Sequence, residues 1–344
     1  MSKLAFIIGI TGQDGSYLTE LLLEKGYKVY GNVRRTSLFY QTRIHKLEDK
    51  ITLKFGDITD GLCMNNYIHE IINTNPGFDV FEIYNLSAQS HVALSFDMPE
   101  YTSDVDGFSV LKVLEIIKHL NVDIRNKVKF YQAGTSELFG KVLETPQKET
   151  TPFNPVSPYA AAKLYAYHLT KMYREGYSMY CVNGILFNHE SPRRGGNFVT
   201  MKIVNAIKNI LNGTQDCLQL GNIYSKRDWG HAKDYVKGMW LMMQQEGIPK
   251  DYVLATGETY TVKEFIDRSF MYKGVNIVWE GEGINEVGRN KETNEILVRI
   301  NTKYYRPCEV DLLLGDPTKA VTELKWDREY KTLDDLIFDM FEGV

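Results

Sequence analysis

The chain has 344 residues, enough for one large or two ordinary domains around a sizeable core. Its 43% hydrophobic and 24% charged residues fit a soluble globular protein, and a net charge of −4 excludes a general electrostatic drive towards nucleic acid or membrane. Cys63, Cys181, Cys217 and Cys308 show neither metal-ligand spacing nor a disulfide framework. With no signal-peptide pattern and no apolar run of bilayer length, a reducing cytoplasmic setting without a bound metal is expected.

Residues 4–8 form a continuous apolar run, as in a strand buried on both faces of a parallel sheet. Gly9, Gly12 and Gly15 follow, then a helical pattern carrying Leu18, Leu21 and Leu22 that ends near Gly26. A second strand is expected over 28–33. Strand, Gly-rich turn, helix, strand is the frame on which backbone amides hold a pyrophosphate. An acidic residue at the end of that second strand would hold a ribose 2′-hydroxyl; here stand Arg34, Arg35, Thr36 and Ser37, which suit a 2′-phosphate and favour NADP.

A strand at 51–55 leads to Gly56-Asp57-Ile58 and a helix over about 61–73. Asp57 is placed either to meet an adenine amino group or to cap that helix. A fourth strand, 79–86, is followed by small residues from Leu86 to Ser90 that let a cofactor approach the backbone. Tyr101 opens a long helical region, about 103–119, and a fifth strand covers 128–133. The pattern is a doubly wound parallel α/β sheet. Ligands in such sheets lie at the carboxyl ends of the strands, so the Gly-rich turn, Ser87 and Thr135–Glu137 converge on one crevice.

Past the fifth strand, Ser157 is a good N-cap and Pro158 suits the first helical position. Tyr159 and Lys163, four apart, share one helix face. A neighbouring ammonium is expected to lower the phenol's pKa and make a usable base. A lone Tyr-x-x-x-Lys is more often two surface residues; the flanking context gives it weight. A sixth strand, 180–187, gives way to turn-rich, basic sequence, with helices over about 199–212 and 261–272 and a strand and turn at 252–258. Residues 280–300 carry no clear pattern. Arg193, Arg194, Lys202, Lys226, Arg227 and Arg306 suit a diphosphate-bearing substrate, or else a solvated basic face.

The Gly-x-x-Gly-x-x-Gly turn and Tyr-x-x-x-Lys resemble the short-chain dehydrogenase/reductase superfamily. Asn-His-Glu-Ser-Pro-Arg-Arg at 188–194, Lys-Arg-Asp-Trp-Gly-His-Ala-Lys-Asp-Tyr at 226–235 and Arg-Pro-Cys-Glu-Val-Asp-Leu-Leu-Leu-Gly-Asp-Pro at 306–317 resemble the GDP-mannose 4,6-dehydratase family. That resemblance implies a Rossmann domain over 1–187, rejoined by about 217–257, and a smaller, mainly sugar-nucleotide domain over 188–344. It implies Thr135, Glu137, Tyr159 and Lys163 as the catalytic group. The implied cofactor positions are Gly9, Thr11, Gly12, Gln13, Asp14, Gly15, Arg34, Arg35, Ser37, Asp57, Ile58, Leu86, Ser87, Ala88, Gln89, Ser90, Tyr101, Lys163, His189 and Arg194. Ser90, Asn188, Lys202, Arg227, Arg306 and Glu309 are implied at the sugar nucleotide.

By the same resemblance, Tyr159 takes a proton from the sugar O4 as C4 is oxidised. Glu137 takes the C5 proton and assists loss of the C6 hydroxyl, Thr135 orients the hexose, and hydride returns to C6. Reduction of the product by added NADPH to GDP-D-rhamnose is a further expectation, as is a homodimer or homotetramer in which residues 35–43 reach a neighbour's cofactor. Ser87, Gly196 and Met201 depart from the Ala, Glu and Arg usual in the family. An epimerase of the superfamily would need Tyr159 and Lys163 but not Glu137, and a non-catalytic NADP sensor would need none of the three together.

Overall fold

The protein is described by a computed structural model over residues 2–36, 43–305 and 308–343. In the first half, β1 (Lys3–Ile8), α1 (Gln13–Glu24), β2 (Lys28–Val33), β3 (Thr52–Phe55), α2 (Gly61–Thr74) and β4 (Val80–Asn85) alternate. Then come α3 (Val92–Asp97), α4 (Pro99–Ser103), α5 (Ser109–Lys118), α6 (Val122–Arg125), β5 (Val128–Ala133), α7 (Pro158–Tyr177) and β6 (Tyr180–Leu186). The second half holds β7 (Asn188–Glu190), α8 (Val199–Leu211), β8 (Leu218–Leu220), β9 (Lys226–Arg227), β10 (Trp229–His231), α9 (Ala232–Met242), β11 (Tyr252–Leu254) and β12 (Tyr260–Thr261). It ends with α10 (Val262–Tyr272), β13 (Ile277–Glu280), β14 (Val287–Asn290), β15 (Ile296–Ile300), α11 (Thr318–Glu323) and α12 (Leu333–Glu342).

The main sheet runs β11-β6-β5-β4-β1-β2-β3, every pairing parallel. The order reverses beside β1, which makes the switch point where such sheets bind ligands. The continuous apolar strands have the expected cause: β1 is buried on both faces. One face carries α2, α5 and α7 over Phe6, Ile83 and Phe130; the other carries α1 and α9 over Ile7, Tyr84 and Tyr131, with Trp326. The Gly-rich turn closes through a hydrogen bond from the Gly12 amide to the Gly9 carbonyl (3.0 Å). Gly15 packs so tightly on it that a Cβ would lie 2.4 Å from the Gly9 oxygen.

The remaining elements form a smaller lobe. A four-stranded sheet, β13-β14-β15-β8, packs with α8, α10 and α12 around Ile203, Phe265, Val298 and Met340. The unpatterned stretch 280–300 is mostly this sheet's meander: β13 alternates half-buried and exposed residues, β14 carries a bulge at Gly288/Arg289, and Arg289 pairs with Glu280 across strands (2.7 Å). Met201 is 6% exposed in this lobe's core, so its apolar side chain is accommodated by packing. After the lobe's first elements the chain returns to the main sheet with α9 and β11.

Tyr101 lies inside α4 rather than at a helix start, because Pro99 begins that helix. Between α4 and α5, residues Asp104–Phe108 make one wide π turn without leaving helical backbone. The Ser109 hydroxyl donates to the Asp104 carbonyl five residues back (2.6 Å), which supports the turn. Among the described residues no helix is long and apolar enough to cross a membrane.

Candidate active site

The ends of β1, β4 and β5 open on one crevice of about 640 Å³, which continues between the sheet and the smaller lobe. Thr135, Glu137, Tyr159 and Lys163 all line it. So do Gly9, Thr11, Gly12, Gln13, Asp14, Gly15, Arg34, Asp57, Ile58, Leu86, Ser87, Ala88, Ser90, Tyr101, His189 and Arg194, together with Asn188, Lys202, Arg227 and Glu309. Gln89 and Arg35 lie off its wall. The Gln89 side chain donates to the His91 carbonyl and to Thr102 Oγ1 (both 3.2 Å), and the Arg35 guanidinium lies 5.9 Å from the Phe55 ring. Ser37 and Arg306 fall outside the described residues, as does most of 35–43.

The proton-handling side chains are set by two short caps. Thr135 caps the tight turn Ser136–Phe139, its Oγ1 accepting from the Glu137 amide (3.2 Å). Ser157 caps α7 as expected, accepting from the Ala160 amide (3.1 Å). Glu137 is 8% exposed and Lys163 only 3%. Lys163 Nζ donates to the Ala133 carbonyl (3.2 Å) and stands 3.9 Å from Asp106 Oδ1.

The expected lowering of the phenol's pKa is not what these surroundings produce. Burial raises the Tyr159 pKa, the nearby Asp106 and Glu137 carboxylates push the same way, and a Thr135 hydrogen bond only partly opposes them. Lys163 is on the expected face, but its ammonium is turned to the Ala133 carbonyl and Asp106, 5.9 Å from the Tyr159 ring centre.

At the far end, Arg34 Nη1 donates to Tyr101 Oη (2.7 Å). Asp57 does not cap α2. Its carboxylate accepts from the Thr59 amide and hydroxyl (3.0 and 2.8 Å), while Asp60 caps the helix through the Cys63 amide. Ser87 Oγ donates to Asn85 Oδ1 (2.7 Å), an anchor its hydroxyl allows.

Across the crevice, the strand 188–190 and the turn after it are locked onto the Gly-rich turn. Gln13 Nε2 donates to the His189 carbonyl (3.1 Å), Ser191 Oγ to Gln13 Oε1 (2.8 Å), and His189 Nε2 meets Asp14 (2.9 Å). Burial alone would lower the His189 pKa, but Asp14 outweighs it and holds the ring towards its cationic form. Arg193 reaches Glu20 (2.6 Å) and Ser16 (3.1 Å) on α1, so this guanidinium serves the lock. Arg194 pairs with Glu190 (3.0 Å) and lies over the Phe198 ring (3.7 Å).

Lys202 lies over the Tyr304 ring (3.5 Å), and burial lowers its pKa. Arg227 Nη2 donates to Glu309 Oε1 (3.2 Å). Asn188 Oδ1 is buried with no hydrogen-bond partner, an acceptor left for a ligand's donor. Asp106 and Asn32 were not among the expected residues. Asn32 bridges the Gly56 carbonyl (2.8 Å) and the Gly9 amide (3.3 Å), and an Asn inside an apolar strand was the available signal.

A family model described as GDP-mannose 4,6 dehydratase matches residues 6–340. GDP-mannose 4,6 dehydratase of Cricetulus griseus is 55% identical over 99% of this chain and 91% of its own length. The Homo sapiens protein of that name is 54% identical, covering 98% and 90%. GDP-mannose 4,6-dehydratase of Yersinia enterocolitica is 50% identical, covering 99% and 93%. Among solved structures, dTDP-glucose 4,6-dehydratase of Bacillus anthracis, in complex with NAD, superposes with a TM-score of 0.77 at 18% identity, covering 98% and 96%. UDP-glucose 4-epimerase of Thermus thermophilus, complexed with NAD, gives 0.77 at 20%, covering 99% of both chains.

Proposed function

The chain belongs to the GDP-mannose 4,6-dehydratase family, and we propose that its crevice converts GDP-D-mannose to GDP-4-keto-6-deoxy-D-mannose and water. The observation that carries this is that Glu137 lines the same crevice as Thr135, Tyr159 and Lys163. Tyr159 and Lys163 alone serve any oxidation at a sugar carbon. A carboxylate beside them supplies the second proton-transfer centre that elimination requires.

A nicotinamide cofactor fits the residues present. The Gly9–Gly15 turn presents amides at the start of α1, and a Cβ on Gly9 would fill the cradle, 2.9 Å from the Ser87 nitrogen. When bound there it would supply a hydride acceptor for C4 and a hydride donor for C6, so no external reductant would be consumed. Tyr159 takes the O4 proton removed in the oxidation and can give it back at C5 when C6 is reduced, so the protons balance. Thr135, already hydrogen-bonded to Tyr159, orients the hexose. Glu137 takes the C5 proton, which the 4-keto group acidifies, and gives a proton to the departing C6 hydroxyl. His189, Arg194, Leu86, Ser87, Ala88 and Ser90 frame the cofactor. Asn188, Lys202, Arg227 and Glu309 face the sugar nucleotide, with the smaller lobe closing over it.

NADP is favoured over NAD because β2 runs into Arg34-Arg35-Thr36 with no carboxylate at its end. Arg34→Asp is expected to weaken NADP binding at least about tenfold more than NAD binding, since it removes a phosphate partner and adds a repelling charge. Equal losses in a titration of both cofactors would remove the preference.

Self-association is supported by the apolar surface that Phe108 and Tyr165 expose beside each other, with Met172 exposed two turns further along α7. The test of the whole assignment is product identification. GDP-mannose with catalytic NADP is expected to yield a product lighter by one water with a 4-keto group, and no product would end the assignment. A run with excess NADPH decides whether that ketone is further reduced to GDP-D-rhamnose.

A further inference from the structure

Lys163 and Asp106 form a closed pair that the proton-transfer scheme above leaves unexplained. Their side chains are 2% and 0% exposed. An ammonium and a carboxylate withdrawn from water this far are each costly unless paired. The ammonium's other contact is the neutral Ala133 carbonyl. Asp106 Oδ1 accepts from the Gln89 amide (3.0 Å), and Oδ2 is buried without a hydrogen-bond partner.

The fold goes to some length to put a carboxylate there. Asp106 lies in the π turn Asp104–Phe108, buried between the equally buried Val105 and Gly107, where an apolar residue would be expected. At the next residue a Cβ would already stand 3.3 Å from Tyr165 and 3.4 Å from the Ala162 carbonyl, so Gly107 lets the turn lie close against α7. A salt bridge built only for stability gains little by burial. Placement behind the lysine of the proton-handling set points to a role in that set.

Resting on the oxidation step proposed above, we infer that Asp106 is the positioning residue of this site: the counter-ion that keeps Lys163 a charged ammonium beside Tyr159. Burial lowers the Lys163 pKa and Asp106 raises it, so the lysine's charge depends on the carboxylate. Burial also lifts the Asp106 carboxyl to about 7 against the pull of Lys163, which marks how strained the pair is. The groups facing the pair are few. Tyr159 stands on α7, the Gln89 amide and the Ala133 carbonyl come from the strand ends, and Glu137 and Arg194 act on Tyr159 across the crevice.

The sign of the expected effect follows. Without the carboxylate, burial acts alone, and Lys163 loses its proton at lower pH. Asp106→Asn keeps size and an acceptor for the Gln89 amide. In this variant the alkaline limb of the pH profile for GDP-mannose turnover is expected to move down by about one to three pH units. At pH values above the new limb, kcat should fall by up to about tenfold per unit of displacement while KM changes little. Carbon NMR of chain labelled at lysine should show the Lys163 side chain titrating lower by the same interval.

An unmoved Lys163 titration and alkaline limb would overturn the pairing. Should D106N fail to fold, Lys163→Met reads the pair from the other side. The Asp106 carboxyl should then titrate above its value near 7, and an unchanged titration overturns the proposal. A wild-type chain inactive on GDP-mannose whose Lys163 titration still moves in D106N would support the pairing and end only the dehydratase assignment beneath it.

Discussion

Replacing Glu137 by Gln is expected to lower formation of the dehydrated product by about 10²- to 10⁴-fold, the usual worth of a positioned acid–base group. Gln has nearly the size and shape of Glu, so the turn Ser136–Phe139 and its Thr135 cap should persist. What disappears is a side chain able to receive a proton. The C5–H bond then has no base beside it, and the C6 hydroxyl no nearby acid. Glu137 is 8% exposed, which leaves little room for water to substitute. Affinity for GDP-mannose should change little, because in the proposed assignment the diphosphate and base fall to other residues. Calorimetric binding together with mass analysis of the product separates the two effects. A Glu137→Gln chain with full turnover would remove Glu137 from the elimination step and leave an oxidising scaffold of the epimerase kind.

The second large effect is expected from Gly140→Ala, a substitution that touches no reacting group. Gly140 ends the Glu137 turn at φ 51°, and a Cβ there would lie 1.8 Å from the Asn154 carbonyl oxygen and 2.7 Å from its carbon. That carbonyl belongs to a clasp: the Asn154 amide donates to the Leu138 carbonyl (2.9 Å), and the Lys141 amide donates to the Asn154 carbonyl (3.3 Å). Three residues after Asn154 stands Ser157, the cap of the helix that carries Tyr159 and Lys163. The clasp therefore ties the turn that carries Glu137 to the segment leading into the helix that carries Tyr159. A left-handed alanine and a backbone overlap together cost on the order of 3 kcal/mol or more. The melting temperature should fall by several degrees, and turnover should fall further than the loss of folded protein explains. An alanine variant with wild-type melting and kcat would show that the loop yields freely.

Much of this was visible in the residue pattern, for definite physical reasons. A strand buried on both faces tends to be apolar throughout, so 4–8 announces itself, and 128–133 does so through Val128, Phe130 and Tyr131. Tight turns and helix caps restrict residue type, so Gly9–Gly15 and Ser157–Pro158 did too. The stretch 280–300 did not, because a small sheet with one face towards solvent and charge pairs across its strands resembles a polar loop. Asp57 and Asp60 are both acceptable caps, and only the observed backbone separates them. The Tyr159 environment and the Asp106 contact were hidden for another reason. They arise where separate segments meet, Asp106 lying more than fifty residues before Tyr159 and Lys163, and no local pattern records which way Lys163 turns. The same holds for Gln13 and Ser191, whose hydrogen bond spans 178 positions of sequence.

The sheet's outermost pairing affects how the chain must be made. β6 lies between β5 and β11, and β11 comes from beyond the first half of the smaller lobe. A ribosome that has delivered residues up to 187 has thus made six strands with one flank still bare. The β6 flank, its backbone groups unpaired, is open to any passing strand until some seventy further residues have emerged. The two lobes accordingly cannot mature one after the other like beads on a string. Cutting the chain after residue 187 is expected to give an aggregating fragment, although every glycine of the phosphate turn and all four proton-handling side chains lie within it.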